Sequence, residues 1–212
     1  MSYQVNEVFN TIQGEGIKAG TPATFIRLQG CTVGCEWCDT KYTWTTGGQR
    51  WEAKDLVSSL DLRPLAVITG GEPTLYDLDD LLFALRNAGQ ARWGYDFKIQ
   101  LETSGQNAFK GKVVPDWVTW SPKPNLDFKA HPGLLRHIAE VKWVVDDNLT
   151  MDIIDKQIRV VRAAQPQNRV WCVLMPEGCP PSEEHVKKTL GMLEVYPAWT
   201  FSDRLQWRLG VK

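Results

Sequence analysis

Short apolar, β-branched runs alternate along the chain with stretches in which apolar residues recur every three or four positions. Six runs read as strands: residues 23–28, 65–69, 97–102, 117–120, 141–145 and 170–174. Two stretches between them read as amphipathic helices. One spans roughly residues 78–88, with Leu81, Leu82 and Leu85 on one face. The other spans 153–164, with Ile154, Ile158, Val161 and Ala164 at helical spacing. Strand–helix alternation of this kind predicts an α/β fold, a parallel sheet with helices outside. About six βα units are too few to close an eight-stranded barrel, so the expected architecture is a partial, open TIM-like barrel. No repeat, low-complexity block or linker interrupts the pattern, and residues 1–212 are expected to form a single domain.

Polar and glycine-rich motifs follow the C-terminal ends of the first four strands. They are a cysteine loop after residue 28, Thr69-Gly70-Gly71-Glu72-Pro73, Glu102-Thr103-Ser104-Gly105, and Ser121-Pro122-Lys123. In parallel α/β folds that edge of the sheet is where sites are built.

The cysteine loop carries the most specific chemistry. Cys31-Thr32-Val33-Gly34-Cys35-Glu36-Trp37-Cys38 spaces three thiols as CxxxCxxC, with an aromatic directly before the last. Three thiolates can hold three corners of a four-iron cluster and leave one iron without a protein ligand. An electron-transfer cluster normally has four ligands, so an open iron points to chemistry. The competing reading is a structural zinc site, completed by one of His131, His137 and His185, although none of these lies in a ligand-pair spacing. Five cysteines with three crowded together fit metal binding in a reducing compartment better than a disulfide framework. Cys172, inside an apolar run, and Cys179, before two prolines, read as structural, with a fourth-ligand role left open.

The loop, aromatic included, resembles the signature of the radical S-adenosylmethionine enzymes. A longer series is more specific. Gln13-Gly14-Glu15-Gly16, Arg27, the cysteine loop followed by Asp39-Thr40, and the Thr-Gly-Gly-Glu-Pro, Glu-Thr-Ser-Gly and Ser-Pro-Lys motifs occur in that order. This series resembles the 7-carboxy-7-deazaguanine synthase family over nearly the whole chain. The resemblance implies that Cys31, Cys35 and Cys38 bind a 4Fe-4S cluster. It implies that Trp37, Cys38, Asp39, Gly71, Ser121, Pro122 and Lys123 hold S-adenosylmethionine, with Trp37 against the adenine. It gives Ile12, Gln13, Gly14, Arg27, Thr69, Glu102 and Lys212 to a 6-carboxy-5,6,7,8-tetrahydropterin substrate, and Thr40 to a magnesium ion. The implied reaction is a radical ring contraction with loss of ammonia. A flavodoxin or ferredoxin as reductant and a homodimer are the implied partners. Two positions depart from the family pattern. Gln206 replaces a histidine near the C-terminus, and Leu174-Met175-Pro176-Glu177 stands where some relatives have Gln-Pro-Met-Asp.

Two other readings remain. One is an activating enzyme that installs a glycyl radical on a protein, which has no use for Gln13, Arg27 and Thr69. The other is a non-catalytic metal-binding module. The net charge of −1 gives no general bias toward nucleic acid or an anionic membrane. The acidic, polar N-terminus lacks a signal-peptide pattern, and no apolar run reaches bilayer length, so a cytoplasmic location is expected. Most of the ten tryptophans are expected to fill core or barrel-end positions, with Trp37 at the cluster as the exception.

Overall fold

The computed structural model describes residues 1–211. A nine-stranded sheet, in the order β3-β1-β2-β4-β5-β6-β7-β8-β9, forms its frame. The six expected strands are β2 (Pro22–Leu28), β4 (Leu65–Gly70), β5 (Lys98–Thr103), β6 (Trp117–Trp120), β7 (Glu140–Val145) and β8 (Trp171–Pro176). They run parallel, and the short β9 (Thr200–Phe201) extends them in the same sense. The sheet is open, with no pairing of β3 to β9, as the count of βα units requires.

The pattern did not reveal the other edge. β1 (Ser2–Ile12) pairs antiparallel with β2, and β3 (Gln49–Glu52) pairs antiparallel with β1. A bulge between Val5 and Glu7 explains why β1 does not read as a strand. Before it, Tyr3 and Val5 pack into the main core between sheet and helices. After it, Phe9 faces the sheet's concave side and packs with Ala23, Phe25, Leu65 and Val67. One inserted residue thus moves the odd-numbered side chains to the opposite face and breaks the two-residue alternation.

Helices cover the convex face: α1 (Ala53–Ser58), α2 (Asp79–Trp93), α3 (Met151–Ala164) and α4 (Glu183–Val195), with a short α5 (Leu205–Arg208) near the C-terminus. α2 buries Leu81, Leu82 and Leu85 as expected and runs further, through Gly89, because Phe97 packs where a side chain at Gly89 would sit. α3 buries Ile154, Ile158 and Val161, while Ala164 is exposed. Thr150 and Ser182 cap α3 and α4 by accepting from the N–H groups of Ile153 and His185. Of the ten tryptophans only Trp120 and Trp143 are buried. Most of the others are half-buried, so they border the core more than they fill it.

Candidate active site

The loops after β2, β4, β5 and β6 meet at one cavity on the concave side, about 1210 Å³ including its open mouth. The cysteine loop and the glycine loop are built as a pair. Gly70 has φ +140°, and a Cβ there would lie 2.2 Å from the Leu28 carbonyl oxygen. A Cβ on Gly71 would lie 2.1 Å from that of Gly30. The N–H groups of Gly71 and Glu72 donate to the Leu28 and Gly30 carbonyls, at 3.0 and 2.8 Å. Only glycine permits this approach.

Glu72 locks the next loop to the pair. Its Oε1 accepts from Thr74 N–H (3.0 Å), Thr74 hydroxyl (2.6 Å) and Thr103 hydroxyl (2.7 Å), and its Oε2 from Ser104 N–H (2.8 Å) and the Ser104 hydroxyl. The fully buried carboxylate is thereby satisfied within the protein. Elsewhere, Asn125 donates to the Val33 and Gly34 carbonyls, and Thr32 to Gln106, so three segments pin the cysteine loop.

Cys31, Cys35 and Cys38 line one wall of the cavity. Burial pushes the thiols of Cys31 and Cys35 up, a cost that binding to a cationic metal centre removes, because thiolates are the ligands. Lys123 lies nearby, its Nζ donating to Ser121 Oγ at 2.7 Å and 4.5 Å from the centre of the Trp37 ring. Burial pushes the Lys123 ammonium down, and the Cys35 sulfur opposes that. Among the described residues, neither Cys172, Cys179 nor any histidine lines the cavity. Nor do any three His, Cys, Asp or Glu side chains gather closely enough to hold one metal ion. Three thiols lining one cavity with no histidine among its described lining residues fit the donor set of an iron–sulfur cube.

The opposite wall is polar. Glu102 Oε1 accepts from Gln13 Nε2 and its Oε2 from Thr69 Oγ1, each at 3.1 Å. Arg27 donates through Nε to Glu7 at 2.8 Å. Ile12, Gly14, Asp39, Thr40 and Gly71 line the same space, and Thr40 Oγ1 lies 3.5 Å from Cys38 Sγ. Of the site residues read from the sequence, Pro122 is buried and does not line the cavity, and Lys212 lies outside the described residues.

Lys142 and Arg204 also line the cavity and were not singled out in the sequence, while Glu15 and Ser104 were singled out only as members of motifs without a role of their own. Lys142 pairs with Glu15 and sits 3.9 Å from Glu102, and Arg204 Nε lies 3.5 Å from Glu15. Burial raises the Glu15 carboxyl, but the Lys142 and Arg204 cations outweigh it and hold it down at about 2. The signal for Lys142 was present, a charged residue inside the apolar strand Val141-Lys142-Trp143-Val144. Gln206 also reaches the wall, donating to Glu15 Oε1 at 3.2 Å.

No model of a known protein family matches the chain. Individual proteins do match it. The 7-carboxy-7-deazaguanine synthase of Escherichia coli K12 is 35% identical over 193 residues, covering 79% of this chain and 82% of the relative. The chain belongs to the 7-carboxy-7-deazaguanine synthase family. The Buchnera aphidicola enzyme of that name is 39% identical over 148 residues, covering 59% of this chain and 64% of the relative. The crystal structure of QueE from Escherichia coli superposes with a TM-score of 0.77 at 29% identity, covering 97% of this chain and 95% of that one. The family is one of radical S-adenosylmethionine enzymes, and the three cysteines of its signature line the same cavity as the polar residues.

Proposed function

We propose that this chain is a lyase that converts 6-carboxy-5,6,7,8-tetrahydropterin to 7-carboxy-7-deazaguanine with loss of ammonia, a step of 7-deazapurine biosynthesis of the queuosine type. The observation that carries the reading is the shared cavity, which is lined both by Cys31, Cys35 and Cys38 and by Gln13, Arg27, Thr69 and Glu102. An activating enzyme for a protein radical has no need of the second set, and a structural metal site has no need of the cavity.

Cys31, Cys35 and Cys38 hold the 4Fe-4S cluster by three irons. When bound and reduced, the cluster supplies the electron that cleaves S-adenosylmethionine to methionine and the 5′-deoxyadenosyl radical that starts the ring contraction. The Gly71 backbone, Ser121, Lys123, Asp39 and Trp37 orient that cofactor, and Pro122 fixes the loop that carries two of them. Ile12, Gln13, Gly14, Thr69 and Glu102 hold the pterin. Arg27, already held through Nε by Glu7, presents its terminal N–H pair as a fork for the substrate carboxylate. Thr40 would supply its hydroxyl oxygen to a magnesium ion. A single domain over residues 1–212, a homodimer, a small flavodoxin or ferredoxin as reductant and a cytoplasmic location complete the reading. Among the described residues no helix is long and apolar enough to cross a membrane.

The test is an anaerobic assay of the reconstituted protein with dithionite, magnesium, S-adenosylmethionine and the carboxylated pterin. Formation of the deazapurine, identified by mass, supports the reading. Methionine and 5′-deoxyadenosine without deazapurine would exclude this substrate.

A further inference from the structure

Of the carboxylates that line the cavity, Glu15 and Glu102 have a buried cation between them. Lys142 projects from the middle of β7, its side chain only 8% exposed. Its Nζ pairs with Glu15 Oε2 and stands 3.9 Å from Glu102 Oε1. Among the described residues Glu102 otherwise takes neutral donors, Gln13 and Thr69. Glu15 also has Arg204 Nε at 3.5 Å and accepts from Gln206 Nε2 at 3.2 Å, so partners besides Lys142 hold it in place. We infer that Lys142 is a positioning residue of this site: anchored on Glu15, it holds the Glu102 carboxylate as a charged acceptor facing the cavity.

The inference rests on the pterin reading in one respect, that Glu102 contacts the substrate. The charged groups around the pair come from several elements. Glu140 lies on the same strand, Lys123 on the loop after β6, and Arg204 on the C-terminal segment. The Lys142 ammonium is pushed down by burial, and Glu102 and Glu15 together overcome this and raise it. Without that cation the two carboxylates lose their common counter-ion and repel one another, which disfavours their being charged together.

K142M and K142R test this through two readouts. The first needs no substrate: a ¹³C NMR titration of the glutamate carboxyl carbons. K142M is expected to move the upper titration of the Glu15–Glu102 pair upward, and K142R to leave it in place. The second readout is the KM for the carboxylated pterin. K142M is expected to raise it about tenfold or more near pH 6, with the deficit shrinking as pH rises and kcat changing less. K142M/E15Q removes the ion pair as a unit, so its deficit is expected to be smaller than that of K142M, and it carries the test if K142M does not fold. An unmoved titration in K142M overturns the inference. So does a pH-independent KM deficit of equal size in K142M and K142M/E15Q, which would make Lys142 a direct substrate ligand. A wild-type chain inactive on the pterin with the titration moved as expected removes the functional reading and keeps the electrostatic role.

Discussion

Glu72 and Ser104 are joined twice through one carboxylate oxygen, which accepts both the backbone N–H and the hydroxyl of the serine. This single residue couples the glycine loop after β4 to the polar loop after β5, and both loops line the cavity. Glu72 therefore works inside the protein, while Gly70 and Gly71 of its motif line the cavity. E72Q turns one acceptor into a donor facing donors. It is expected to cost about 3 kcal/mol, read as a lower urea midpoint with an unchanged slope.

The glycine backbone itself can be tested by adding one carbon. G70A must accommodate both a φ of +140° and a contact of 2.2 Å with the Leu28 carbonyl oxygen. A loss of about 3 kcal/mol or more, or no soluble protein, is expected. Gly20 is the control, because its φ is +88° but a Cβ would meet nothing within 4 Å. G20A is expected to cost only the conformational strain, about 1–2 kcal/mol in thermal or urea unfolding.

The Glu15 carboxyl sits at about 2 in the folded chain, against an ordinary value of 4.5. Its pairing with Lys142 and Arg204 therefore stabilises the fold fully above the ordinary value. That contribution is lost as pH falls from 4.5 toward about 2, because the unfolded chain takes up the proton first. Urea unfolding of wild type over this range is expected to show a steeper loss of stability than E15Q, which has no carboxyl there to protonate.

The two buried tryptophans pack at 6.0 Å between ring centres, yet they differ at nitrogen. Trp120 Nε1 donates to the Ser104 carbonyl at 2.9 Å, whereas Trp143 Nε1 is buried without a partner. W120F strands that carbonyl and loosens the loop that Glu72 holds. It is expected to cost about 1–2 kcal/mol more than W143F, measured by urea unfolding.

The parallel strands and the four motifs at their C-terminal ends were legible because a strand buried on both faces is an unbroken apolar run. β1 was not, because the bulge at Val5–Glu7 puts Tyr3 and Phe9 on opposite faces of the sheet. The cysteines and glycines of the site could be read locally, since spacing and backbone freedom are local properties. The ion cluster of Lys142, Arg204 and Glu15 could not, beyond the oddity of a lysine inside an apolar strand, because it depends on β7 and the C-terminal segment meeting the turn after β1 in space. Nothing in the physics of Thr40 or its neighbours marks it as a magnesium ligand, and that assignment comes from family resemblance.

The central claim is that three thiolates hold a cluster whose fourth iron is left for S-adenosylmethionine. The direct measurement is the electron paramagnetic resonance spectrum of the anaerobically reconstituted, dithionite-reduced protein, with and without S-adenosylmethionine, in wild type and in a C172A/C179A variant. A four-iron signal that shifts when S-adenosylmethionine is added, identically in both proteins, is the expected result. A signal indifferent to S-adenosylmethionine, or a cluster lost with Cys172 and Cys179, would contradict the account.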